Sequence, residues 1–163
     1  MAEPIDFYFE FSSPFGYIGA HLIEDVAARH GRSVTWRPFL MGVVFKAEGT
    51  QSLVKYPMKG PYSKRDIERS AKFHDLPFVW PPSFPVLTVN AARAVYWQQD
   101  QDVNLAKKLA LAIYAKAFRD GREIADVSVL ADAALEAGVD AEAKLAAVKT
   151  RDIKDRLKAE TAA

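Results

Sequence analysis

Two stretches near the start of the chain read as β-strands, and one helical pattern separates them. Ile5 to Phe11 places Phe7, Phe9 and Phe11 on one face and Asp6, Tyr8 and Glu10 on the other. Val34 to Leu40 ("VTWRPFL") reads as the second strand. Between them Tyr17, Ile18, Leu22, Ile23 and Val26 recur at helical spacing, and Gly31 closes the segment. A strand–helix–strand crossover makes its two strands parallel neighbours. Two parallel strands do not make a stable sheet alone, because a parallel pair needs helices on both faces and neighbours at its edges. Either a strand hides within 76–89, or strands come from elsewhere.

The remainder reads as helical. Residues 41–61, rich in Gly, Lys, Tyr and Pro, read as a long loop, and 62–75 as a helix. "LPFVWPPSFPV" (76–86) is an apolar connector broken by prolines. Helices follow at 89–99, 103–119, 127–137, 141–148 and 151–161. Asp126 or Ser128, Asp140 and Thr150 are candidate caps, and Gly121 and Gly138 candidate stops. The fold class is therefore α/β. Residues 1–41 form a βαβ part, 42–150 a helical insertion, and 151–163 a helix returning to the first part.

Composition narrows the chemistry. The 22 basic and 21 acidic residues leave a net charge of +1, which supports neither a nucleic-acid nor a membrane-surface partner. No apolar run approaches the roughly 20 residues of a membrane span. Met1-Ala2-Glu3-Pro4 does not begin a secretory signal, so the expected location is the cytoplasm. There is no cysteine, which excludes a cysteine nucleophile, a disulfide and thiolate ligands within this chain. His21, His30 and His74 show no ligand spacing, and no metal is expected.

The abrupt corner Ser12-Ser13-Pro14 holds the most chemistry. Pro14 suits a first helical turn, and either serine can cap it. A helix start carries free N–H groups and about half a positive charge, so it favours anions, a thiolate included. Ser13 can hold and acidify a thiol supplied from outside, or it can be a helix cap and nothing more.

"DFYFEFSSPFGYIGA" (6–20), "WRPFLMGVVFKAEG" (36–49) and "YSKRDIERSAKFHDLPFVWPPSFPVLTVNAAR" (62–93) resemble the thioredoxin-fold family of 2-hydroxychromene-2-carboxylate isomerases and kappa-class glutathione transferases, relatives of DsbA. Where DsbA-like oxidoreductases carry Cys-x-x-Cys, this chain reads Ser13-Pro14-Phe15-Gly16. The resemblance implies a thioredoxin-like fold and a glutathione-dependent isomerase. Its thiolate adds to, then leaves, a conjugated double bond as a 2-hydroxychromene-2-carboxylate-like compound and its ring-opened hydroxybenzylidene pyruvate interconvert. Glutathione is the implied cofactor, a small aromatic molecule the partner, and a homodimer the expected assembly. A transferase or peroxidase on the same scaffold, or a non-catalytic binding protein, remains an alternative.

In this light Ser13 is the candidate catalytic residue. Lys46 can pair with a substrate carboxylate or an enolate, or be a solvated loop lysine. Thr50 stands where related sequences tend to have Asn and can keep one hydrogen bond. Tyr62, with Lys64, Arg65 and Arg69, lies on a charged helix face that suits either solvent or a carboxylate. Arg93 suits a carboxylate ligand or an acidic partner in the chain. Leu87 also replaces an Asn common in the family. Trp80, Phe84 and Tyr56 wall a pocket or pack in the core. The family's fold normally closes with two more strands and a helix after a cis-proline turn of "GVPTF" type. No such motif occurs here, and Pro85 precedes the helices, so the natural chain is expected to continue past Ala163 or to use a second polypeptide.

Overall fold

A computed structural model describes residues 2–140 and 150–162. β1 (Ile5–Phe9) and β2 (Val34–Pro38) pair in parallel, with Ile5 opposite Val34 and Phe9 opposite Pro38. Helix α1 (Pro14–Arg29) makes the crossover. Both strands end sooner than their apolar runs. β1 stops at Phe9 because the chain turns back at once, with the Ser13 N–H donating to the Glu10 carbonyl at 2.9 Å. Phe11 still reaches the core, at 1% exposed. β2 stops at Pro38 because its partner strand turns away after Phe9; the last bond between them is the Phe39 N–H on the Phe9 carbonyl at 3.0 Å.

The loop expected over 41–61 is corrected by the structure. Helix α2 (Met41–Ala47) starts directly after β2, since "MGVVFKA" holds no breaker after Gly42. A single 3₁₀ turn follows at Leu53–Lys55, and α3 (Lys59–Phe73) starts three residues before Tyr62. Pro61 falls in the first turn of α3, where a missing N–H costs nothing. No strand hides in 76–89: among the described residues the sheet has two strands. The connector is held instead by the Tyr17 hydroxyl, donating to the Pro77 carbonyl at 2.9 Å, and by the Val79 N–H on the Phe118 carbonyl.

Helices α4 (Val89–Gln99), α5 (Val103–Tyr114) and α6 (Val127–Ala137) follow, and α5 widens into a π turn at Ala115–Arg119. Asp102 caps α5 and Asp126 caps α6, each accepting first-turn N–H bonds. Gly138 ends α6 at φ +77°, a conformation that suits glycine. The helix expected over 141–148 lies outside the described residues. α7 (Arg151–Ala162) packs on α4 through Leu157 against Ala92 and Tyr96, and Arg37 pairs with Glu160.

One core joins the strands to the later helices. Phe9, Phe11, Tyr17, Tyr114, Phe118, Leu109, Ile113 and Leu130 are fully buried in it together. Val26 faces out, so the inward stripe of α1 runs through Ala20 and Ala27 instead. No helix among the described residues is long and apolar enough to cross a membrane.

Candidate functional site

The corner between β1 and α1 opens onto a cavity of about 850 Å³. Its walls come from the corner itself, from α2, from the 50–55 turn, from α3 and from the segment 84–89. The peptide Phe84–Pro85 in that last segment is cis. This volume lies within the roughly 300–1,000 Å³ of small-ligand sites.

Ser13 is the cap of α1: its Oγ accepts the Gly16 N–H at 3.0 Å, and its backbone is extended. Ser12 is not the cap. Capping uses a lone pair of Ser13 and leaves its hydroxyl proton free to donate, so the two readings of Ser13 are compatible. The other donors at this helix start can be accounted for one by one. Pro14 has none, Gly16 N–H serves Ser13, Ser13 N–H serves the Glu10 carbonyl, and Tyr17 N–H serves the Ser13 carbonyl. Among the described residues Phe15 N–H has no partner, and Phe15 lines the cavity. The Ser13 O–H and the Phe15 N–H are thus the donors left for an anion at the positive end of α1.

Glu10 lies behind the corner, 4% exposed. Its Oε2 accepts the Ser12 N–H at 2.8 Å and the Ser12 hydroxyl, and its Oε1 accepts the Thr88 hydroxyl. Burial lifts its carboxyl above the usual range, and those three hydrogen bonds pull the other way. The Glu10 carbonyl also accepts the Tyr114 hydroxyl at 2.9 Å. Tyr114 is fully buried, which holds its hydroxyl protonated well above the usual phenol range. A Cβ on Gly16 would meet the Tyr114 hydroxyl at 2.5 Å, so the helix can approach this close only with glycine there.

The structure brings Ser13, Lys46 and Thr50 to one cavity. Lys46 sits in the last turn of α2 and not on a loop, and Lys55 lines the same cavity from the 3₁₀ turn. Neither lysine has an ion pair among the described residues, and the one carboxylate on the wall is the buried Glu10. The accessible charge of the cavity is positive. Tyr62, 67% exposed on α3, and Arg93, half-buried on α4, do not line it. Arg93 Nε is buried with no hydrogen-bond partner among the described residues. Phe84 and Leu87 line the cavity, whereas Trp80 packs on Phe78 and Phe84 and donates to Glu68. Tyr56 stays off the wall and carries the Lys59 ammonium over its ring.

Sequence reasoning passed over Glu10, Thr88, Tyr114 and Lys55. For Glu10 the signal was present: an acid between two core phenylalanines, followed by two serines able to donate to it. Among the described residues no cluster of His, Cys, Asp or Glu is arranged to hold a metal ion.

Comparison with known proteins matches residues 4–163 to the DSBA-like thioredoxin domain. A 2-hydroxychromene-2-carboxylate isomerase of Sphingobium xenophagum is 31% identical over 145 residues, covering 88% of this chain and 72% of that protein. Glutathione S-transferase kappa 1 of Caenorhabditis elegans is 28% identical over 126 residues. That match covers 74% of this chain but 56% of the nematode protein, little more than half its length. A solved 2-hydroxychromene-2-carboxylate isomerase shares the fold with a TM-score of 0.81 at 22% identity, over 96% of this chain and 76% of that one.

Proposed function

Because this chain belongs to the DSBA-like thioredoxin domain family and is homologous to 2-hydroxychromene-2-carboxylate isomerases and a kappa-class glutathione transferase, we propose that it is a glutathione-dependent isomerase of a 2-hydroxychromene-2-carboxylate-like compound. The observation that carries this reading is the Ser13 hydroxyl. It caps α1 through a lone pair, keeps its proton to donate, and faces a cavity whose accessible charge is positive. The residues fit the cofactor, since a tripeptide thiol with two carboxylates suits a helix start that keeps two free donors, in a cavity also lined by Lys46 and Lys55.

When bound, glutathione supplies a nucleophilic thiolate that can add to a conjugated carbon and leave it again. The chain's own part is electrostatic. The Ser13 O–H donates to the sulfur position and, with the α1 dipole, favours the ionised thiol. Lys46 offers its ammonium to the carboxylate of the substrate and to the negative charge that develops on its carbonyl oxygen. Phe15, Val43, Leu53 and Phe84 give the aromatic ring an apolar wall. Neither serine forms a covalent bond, and no second thiol is required because glutathione returns unchanged.

A second reading, transfer of glutathione to an electrophile, draws on the likeness to the nematode transferase. Turnover of a chromene carboxylate, followed by its absorbance change with glutathione present, separates the two. Isomerisation without consumption of glutathione supports the first reading. Stoichiometric loss of free thiol supports the second. No reaction with either class of substrate overturns both.

A further inference from the structure

Thr88 breaks a local rule. It stands at the N-cap of α4, where a threonine hydroxyl ordinarily accepts an N–H of the first turn. It makes no such bond; its hydroxyl instead donates to Glu10, 78 residues earlier in the chain. Glu10 in turn takes both donors of Ser12, the backbone N–H and the hydroxyl. One buried carboxylate therefore does two things. It ties the Ser12–Ser13 corner to the segment that forms the adjoining cavity wall, and it leaves Ser13 as the one serine at the corner whose hydroxyl is free to donate. Without it, Ser12 would offer two competing donors beside the anion position, and the corner would lose its link to α4.

Resting on the glutathione reading above, we propose that Glu10 is a positioning residue that selects Ser13 as the thiolate donor and fixes its place against the wall at Thr88. It acts through hydrogen bonds to Ser12 and Thr88 and touches neither thiol nor substrate. Glu10→Gln keeps an acceptor for Ser12 and an amide that can donate to Thr88 Oγ1, so the tether survives. Glu10→Ala removes it.

The test is a double-mutant cycle read by calorimetric titration of reduced glutathione, with the ultraviolet absorbance of the bound thiolate as a second readout. Glu10→Ala should weaken glutathione binding at least about fivefold, within the usual range of coupling between residues in one network. Glu10→Gln should stay within about twofold of the parent. In the Ser13→Ala background, Glu10→Ala should have almost no further effect, because the group it positions is gone. If the two effects multiply instead, Glu10 is a merely structural residue and the proposal is overturned. Thr88→Val, which keeps shape and removes the donor, carries the same cycle if Glu10→Ala does not fold, and an additive result there is equally fatal. A parent chain that does not bind glutathione overturns the functional reading and this proposal together. A parent that binds and depends on Ser13 but shows additive Glu10 and Thr88 effects sinks this proposal alone.

Discussion

Gly16→Ala makes the sharpest demand on the corner. A methyl group at position 16 would lie 2.5 Å from the Tyr114 hydroxyl and 3.2 Å from both the Glu10 carbonyl oxygen and Ser13 Cβ. The tyrosine is fully buried, so its hydroxyl cannot swing into solvent and must give up its 2.9 Å bond to the Glu10 carbonyl. Stranding a buried hydroxyl costs about 1–3 kcal/mol. Overpacking a dense core costs a similar ~1–3 kcal/mol, and here it is largely the same event counted from the steric side. Alanine returns at most ~1 kcal/mol over glycine in a helix, and less in a first turn. The net is a loss of about 1–2 kcal/mol, worth roughly 2–8 °C in Tm for a chain of this size. Thermal unfolding followed by near-ultraviolet circular dichroism measures it. Gly16→Ala with Tyr114→Phe should lose less than the two single effects added, because the phenylalanine removes the atom the methyl strikes. A Gly16→Ala protein as stable as the parent would refute the close approach on which this account of the corner depends.

Other outcomes follow from the same geometry. Ser13→Ala should keep the fold at a cost of about 1 kcal/mol for the lost cap. It should lose a charge-assisted hydrogen bond of ~1.5–3 kcal/mol in turnover, about one to two orders of magnitude; folded protein with parental turnover would leave Ser13 as a cap alone. Lys46→Met should reduce turnover more than glutathione affinity, and a collapse of affinity with unchanged saturated turnover would move Lys46 to the cofactor side of the cavity. Burial raises the Glu10 carboxyl above its unfolded value, so its contribution to stability is complete below the unfolded pKa and is lost as pH rises through the folded pKa. Glu10→Gln has no such loss, so urea midpoints should show its stability gaining on the parent from acid to neutral pH. A difference that stays flat with pH would contradict the buried ionisation.

The βαβ unit was legible because its signals are local. Alternating Phe7 and Phe9, the Ser13-Pro14 start and the helical spacing of Tyr17 and Ile18 each occupy a few adjacent residues. Asp126 and Gly138 marked the ends of α6 for the same reason. The stretch 41–61 misled because its glycines, lysines and Pro57 average to a loop composition, while the two turns of α2 depend on "MGVVFKA" alone. Lys46 was placed near the site by family likeness, and its helical footing came from the structure. The network behind the corner was hidden for a different reason. Glu10, Thr88 and Tyr114 are 78 and 104 residues apart in sequence, and they meet through contacts that no periodicity reports. Alternation sets Glu10 on the face opposite the phenylalanines, which carries no sign of the bond that Thr88, just before α4, makes to it. Tyr62 and Arg93 show the converse: residue type suggested a carboxylate partner, and neither is among the residues that line the cavity.

On the proposed function, the Ser13 corner holds an external thiol in its ionised form. Parallel calorimetric titrations of reduced glutathione and S-methylglutathione, repeated in two buffers of different ionisation enthalpy, test it most directly. Reduced glutathione should bind about tenfold tighter or more, as one charge-assisted hydrogen bond allows. Its binding heat should shift between buffers because the thiol releases a proton, and Ser13→Ala should remove most of both differences. Equal affinity for the two ligands with no proton release would contradict it.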